Sequence, residues 1–138
     1  MSGLESQAVE LVRASTEVVL LRADFVDGLN ASQSQISRVL RKLTGRAVLI
    51  RIGVGIYAKT CRSSLSGRVI PAASLPDLAR AALHRLNVQT APSKAERAYN
   101  EGRSQQVPTG RTVGVTKTVR RRIGYGGAYV RFERVRQR

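Results

Sequence analysis

The chain has 138 residues, 42% of them hydrophobic, with 24 Lys and Arg against 9 Asp and Glu, a net charge of +15. That length suits one compact domain or two small ones, and no apolar run approaches the roughly 18 residues of a membrane span. Twenty of the bases are Arg, whose planar fork bonds phosphates and base edges bidentately, so the balance points to polyanionic partners and away from a membrane.

From the start, Leu4, Ala8, Leu11 and Val12 recur at helical spacing and predict an amphipathic helix over 4–14. Next, "EVVLL" at 17–21 reads as a short strand, and "RADFV" as a short helix anchored by Phe25 and Val26, with a turn at Gly28. Ser32 and Gln35 form a capping-box pattern, so a further helix starts there, the second of a helix-turn-helix pair. On it Ile36, Val39, Leu40 and Leu43 make one apolar stripe. The opposite side carries Ser34, Arg38 and Arg41, flanked by Gln35, Ser37 and Lys42, and holds no acid.

Gly45 is expected to close that helix. "VLIRI" and "IYAK" then flank Gly53-Val54-Gly55, the pattern of a β-hairpin. Helix, turn, helix and hairpin in this order predict a winged helix-turn-helix over residues 1–60. In that arrangement the second helix enters the major groove of duplex DNA and the wing follows the backbone. Ser34, Gln35, Ser37, Arg38, Arg41 and Lys42 are the candidate DNA contacts on the helix, and Arg51 and Lys59 on the hairpin are candidate phosphate contacts. The bland reading is a solvated helix face on a protein-interaction module.

The stretch "SQISRVLRKLTGRAVLIRIGVGIYAK" resembles the N-terminal domain of AbiEi-type antitoxins through Ser34, Ser37, Arg38, Leu40, Leu43, Leu49, Arg51, Ile52, Gly53, Gly55 and Tyr57. "YNEGRSQQVPTGRTVGV", from Tyr99 to Val115, is similar to a segment that follows this domain in short relatives. The resemblance implies a repressor of its own operon that counters a toxin of the nucleotidyltransferase class, a type IV toxin-antitoxin arrangement. The chain is shorter than the full-length antitoxins of that family.

"TCRSSLSGR", rich in small polar residues, marks the joint, with a linker at 61–68 and a basic α+β module over 69–138. Residues 1–60 hold eight bases and five acids, and residues 61–138 hold sixteen bases and four acids. In this half "SLPDLARAALHRL" places Leu75, Leu78, Ala79, Ala82 and Leu86 on one helix face, with Pro76 in the first turn. "SKAERAYNEG" runs from a Ser93/Glu96 capping box to a stop at Gly102. β-Like pieces follow: "SQQV", a turn at Pro108-Thr109-Gly110, "RTVGVTKTVRRRI", a glycine turn and "AYVRFERV". "RIGVGIYAK" at 51–59 and "RIGYGGAYVR" at 122–131 echo each other as glycine turns between basic β runs.

From Arg111 to Arg138 there are nine bases and one acid, Glu133. Arg111, Lys117, Arg120, Arg121, Arg122 and Arg131 are therefore candidate auxiliary phosphate contacts. Consecutive Arg120, Arg121 and Arg122 on a strand would project to both faces. Tyr125, Tyr129 and Phe132 are candidates for stacking on unpaired bases, although Tyr129 and Phe132 read better as core.

Signals for an enzyme are poor. His84 is the sole histidine and Cys61 the sole cysteine, at most half of a zinc site and no disulfide framework. "GRTVGVTKT" fails as a P-loop, because Val115 and Thr116 stand where glycine and lysine are required. Asp24 and Asp27 suit capping or surface roles better than acid–base chemistry. The expectation is a non-enzymatic, cofactor-free α+β protein of the reducing cytoplasm, since residues 1–20 hold three Glu and no basic n-region. It would bind an operator as two copies on an inverted repeat. The rival is a module that binds RNA or protein through the Arg-rich C-terminal half, in toxin neutralisation or phage anti-defence.

Overall fold

A computed structural model describes residues 3–105 and 110–136. It is mixed α+β, in two units, Met1–Ser74 and Leu75–Arg138. In the first unit α1 (Gly3–Ala14), α2 (Arg22–Gly28) and α3 (Gln33–Gly45) pack on a small antiparallel sheet of β1 (Val19–Leu21), β2 (Leu49–Gly53), β3 (Ile56–Arg62) and β4 (Val69–Pro71). The strand order is β1-β3-β2, and β4 pairs with the far end of β3.

The stripe predicted on α3 is the core side. Ile36, Val39, Leu40 and Leu43 are buried together with Ala8, Val12, Leu20, Phe25 and Leu49. Tyr57 closes this core from β3, its ring edge-on to Phe25 at 6.4 Å between centroids. Ser32 starts α3 as expected: its hydroxyl accepts from the Gln35 N–H at 3.2 Å, and the Gln35 side chain accepts from the Ser32 N–H at 2.8 Å.

The end of α3 differs from the expectation. Gly45 is still helical, and the left-handed position falls on Ala47, at φ 59°. Val48 N–H reaches Leu43 C=O at 2.9 Å and Ala47 N–H reaches Thr44 C=O at 3.1 Å, so the carbonyls of the last turn are satisfied at the expense of a strained alanine. The same double bond ends the two helices of the second unit, with Asn87 and Gly102 in the left-handed place.

The hairpin is longer than "IYAK" suggests. β3 continues through Cys61 and Arg62 and turns back into β4, with Cys61 opposite Ile70. Residues 61–68 are therefore strand end and turn within the first unit instead of a linker, and the boundary lies at Ser74. Small polar residues signal a turn equally well in a hairpin and in a linker.

In the second unit α4 (Leu75–Arg85) packs against β5 (Thr90–Ala91) and β6 (Thr112–Val115), and β6 pairs on its other side with β9 (Arg131–Arg134). The β6–β9 pairing is parallel. Between them runs a connection that carries a two-stranded hairpin, β7 (Gly124–Tyr125) and β8 (Ala128–Tyr129). Its turn residues Gly126 and Gly127 both take positive φ, which suits a tight hairpin connection. α5 (Lys94–Asn100) starts at the predicted Ser93/Glu96 capping box. On α4 the buried face is Leu75, Leu78, Ala79, Ala82 and Leu83; the expected Leu86 lies past the helix end and is only half-buried.

Two further expectations change. "RTVGVTKTVRRRI" is a strand only at 112–115, and residues 118–123 form no regular element. Tyr129 is 47% exposed and not part of the core, where Ile123 and Val130 sit instead. The expected strand "SQQV" and the turn at Pro108-Thr109-Gly110 fall mostly outside the described residues.

Relieving the strained cap should show directly: Ala47→Gly is expected to stabilise the chain by about 0.5–1 kcal/mol in urea unfolding. Gly114 on β6 is the opposite case, because a Cβ there would lie 2.2 Å from the Ala91 carbonyl oxygen. Gly114→Ala is expected to cost about 2 kcal/mol or more, read by the same measurement.

Candidate nucleic-acid interface

The α3 face opposite the core is exposed at Ser34, Gln35, Arg38, Arg41 and Lys42, and Ser37 is half-buried. Spacing of three and four residues stacks Ser34, Ser37, Arg38 and Arg41 along one side of the helix. Among the described residues no acid pairs with Arg38, Arg41 or Lys42. Arg38 and Lys42 line a cleft of about 230 Å³ with Gln35, Val39 and Leu4 from the start of α1. Gln35 is partly spent, since its amide oxygen closes the capping box. Ser34 lies with its hydroxyl 3.2 Å from that of Ser32.

The helix that presents this face is held at both ends. At its start Arg22, a residue that sequence reasoning passed over, donates to the Gln33 carbonyl and to the Gln33 side-chain oxygen, each at 3.0 Å. The Arg22 N–H also bonds the Gly55 carbonyl at 3.0 Å, which ties the β2–β3 turn to the start of α2. Beyond its end Arg46 lies 2.7 Å from the carboxylate of Glu5, a buried acid on α1. Those contacts pair residues 11, 33 and 41 positions apart, separations at which no local pattern signals a partner.

The hairpin residues split. Arg51 is exposed on β2, and its Nε donates to the nearby Gly53 carbonyl at 3.3 Å, so it lies along the turn. Val54 at the tip is 76% exposed, and Gly55 takes φ 68° to make the turn. Lys59 is different: half-buried, it donates from Nζ to the Ser15 carbonyl at the end of α1. There the cation meets the negative end of a helix, so Lys59 fastens the sheet to α1 and is withdrawn from the proposed phosphate face.

In the second unit Arg111, Lys117, Arg120, Arg121, Arg122 and Arg131 are all exposed. The acids of this unit are engaged elsewhere. Asp77 and Glu96 pair with Arg80 at 3.1 and 3.3 Å, Glu101 with Arg103 at 2.8 Å, and Glu133 accepts the Lys94 N–H at 2.7 Å. The guanidinium of Arg122 sits over the Tyr129 ring, 4.9 Å from its centroid. Among the described residues no cluster of His, Cys, Asp and Glu could hold a metal ion, and no helix is long and apolar enough to cross a membrane.

One protein family matches this chain, described as a family of unknown function, DUF6088, over residues 7–137. The chain belongs to that family. The DUF6088 match spans both units and therefore both basic surfaces. Comparison with curated proteins and with solved structures finds no match.

Replacing the fastening lysine separates its role from that of the exposed bases. Lys59→Met is expected to lower stability by about 1 kcal/mol in thermal or urea unfolding, with the salt dependence of any polyanion binding unchanged.

Proposed function

We propose that this DUF6088 protein is a sequence-specific duplex-DNA-binding repressor whose first unit acts as a winged helix-turn-helix. The observation that carries the reading is the α3 face: Ser34, Ser37, Arg38, Arg41 and Lys42 without acidic partners among the described residues, on a helix fastened at both ends. A helix of about 10–12 Å diameter with its side chains fits the B-DNA major groove, about 12 Å wide. Arg38 and Arg41 then reach base edges or phosphates, Lys42 and Ser34 hold the flanking backbone, and Arg51 with the Val54 turn lies along the phosphates as the wing. A fastened helix matters because specificity is lost when the reading side chains wander; each bidentate pair is worth about 1–3 kcal/mol against the wrong base.

The likeness to AbiEi-type antitoxins supplies the biological setting. The protein represses its own operon as two copies on an inverted repeat and is paired with a nucleotidyltransferase-class toxin. The operator role rests on the named side chains of α3, and the antitoxin role on the resemblance to AbiEi-type antitoxins.

A mobility-shift titration of the full chain against its own upstream DNA and a scrambled duplex, at two salt concentrations, tests this. The upstream duplex is expected to bind about 1,000-fold tighter or more. Arg38→Gln with Arg41→Gln should remove that preference, and Arg51→Ala should weaken both duplexes alike, lowering the salt slope by about 1. Equal binding of both duplexes by the unaltered protein, or an unchanged preference in the double variant, overturns the assignment.

A further inference from the structure

The second unit brings together two arginines and a tyrosine that lie apart from the α3 face. Ile123 C=O accepts from Val130 N–H at 2.9 Å, so the β7–β8 hairpin extends one pair beyond Gly124 and Tyr129. Side chains alternate along such a ladder. Ile123 and Val130 are buried, and Arg122, Tyr129 and Arg131 are exposed on the other side. Arg131 N–H then bonds the Arg111 carbonyl at 2.8 Å, and since Arg131 pairs with Thr112 the Arg111 side chain falls on the opposite face. Neither Arg122 nor Arg131 has an acidic partner among the described residues, and Glu133, two residues along β9, is held by the backbone of Lys94.

Like charges gathered in this way repel unless an anion joins them. The aromatic partner says which kind. Arg122 lies over the Tyr129 ring at 4.9 Å, and both residues are exposed, a combined guanidinium and aromatic surface. Such surfaces stack on nucleobases, and the base faces of a duplex are closed to them while those of a single strand are open. At the hairpin tip Gly126 and Gly127 have no atom of the described residues within 4 Å of where a Cβ would stand.

We propose that Arg122, Tyr129 and Arg131 form a second nucleic-acid site, one that takes unpaired nucleotides of a single strand. Arg131 bonds a phosphate, and the Arg122–Tyr129 pair stacks with a base.

Fluorescence anisotropy of the full chain with labelled thymidine and uridine oligomers, and with a duplex of equal length, tests the site. Tyr129→Leu is expected to weaken single-strand binding about tenfold and to leave duplex binding as it was, and Tyr129→Phe is expected to retain both. Should Tyr129→Leu fail to fold, Arg122→Gln carries the same expectation, since its side chain is exposed. The Arg38→Gln, Arg41→Gln variant separates this site from the operator surface: single-strand affinity should survive in it. Single-strand binding that is indifferent to Tyr129 and Arg122, or that disappears with Arg38 and Arg41, overturns the proposal. A preference between the two oligomers identifies RNA or single-stranded DNA as the source, and either supports the site.

Discussion

The organisation of this protein depends on how few acids it has and where they are spent. Glu5 is buried against Arg46, Asp24 accepts the Leu21 N–H at 2.7 Å, Glu96 holds Arg80, and Glu133 holds the start of α5. Each of these carboxylates joins elements instead of screening a surface. The excess of Arg is therefore left on the α3 face, along the β2–β3 turn and in the stretch from Arg111 to Arg136. Self-repulsion of this kind destabilises a compact chain, and binding a polyanion relieves it.

Order at the α3 face comes from contacts that lie outside it. Arg22 fixes the first residue of α3 and, through its backbone, the turn of the hairpin; Arg46 and Glu5 fix the residue after the last turn to α1. Lys59 completes the frame by tying β3 to the end of α1. Three cations are thereby structural, and counting charge alone overstates the binding surface. Removing Arg46 would take the 2.7 Å ion pair from the buried Glu5 carboxylate, a larger penalty than loss of an exposed base such as Arg41.

Much of the first unit is legible in the sequence because its signals are local. The Ser32/Gln35 box, the Ile36 to Leu43 stripe and the glycines around Val54 each act within a few residues, and each appears where expected. The role of Lys59 is not legible, since its partner Ser15 is 44 positions away and nothing in "IYAK" marks which lysine turns inward. The end of α3 was obscured by Gly45, a residue that usually marks a helix stop, while the left-handed position fell to an alanine. In the second unit the parallel pairing of β6 with β9 escapes a local reading, because adjacent β-like runs suggest hairpins and parallel partners require a long crossover. Tyr129 reads as a core residue by its aromatic character, yet alternation sets it opposite Val130, and it is Val130 that faces inward.

The division at Ser74, with a separate set of buried residues on each side, has a consequence for avidity. On the proposed reading, a nucleic acid held by one unit would be presented to the other at an effective concentration that short flexible tethers set on the order of millimolar. Neither surface would then need a high intrinsic affinity. A polymer that offers a duplex beside an unpaired stretch would be retained by both together and released in two partial steps, and would dwell longer than on either half alone.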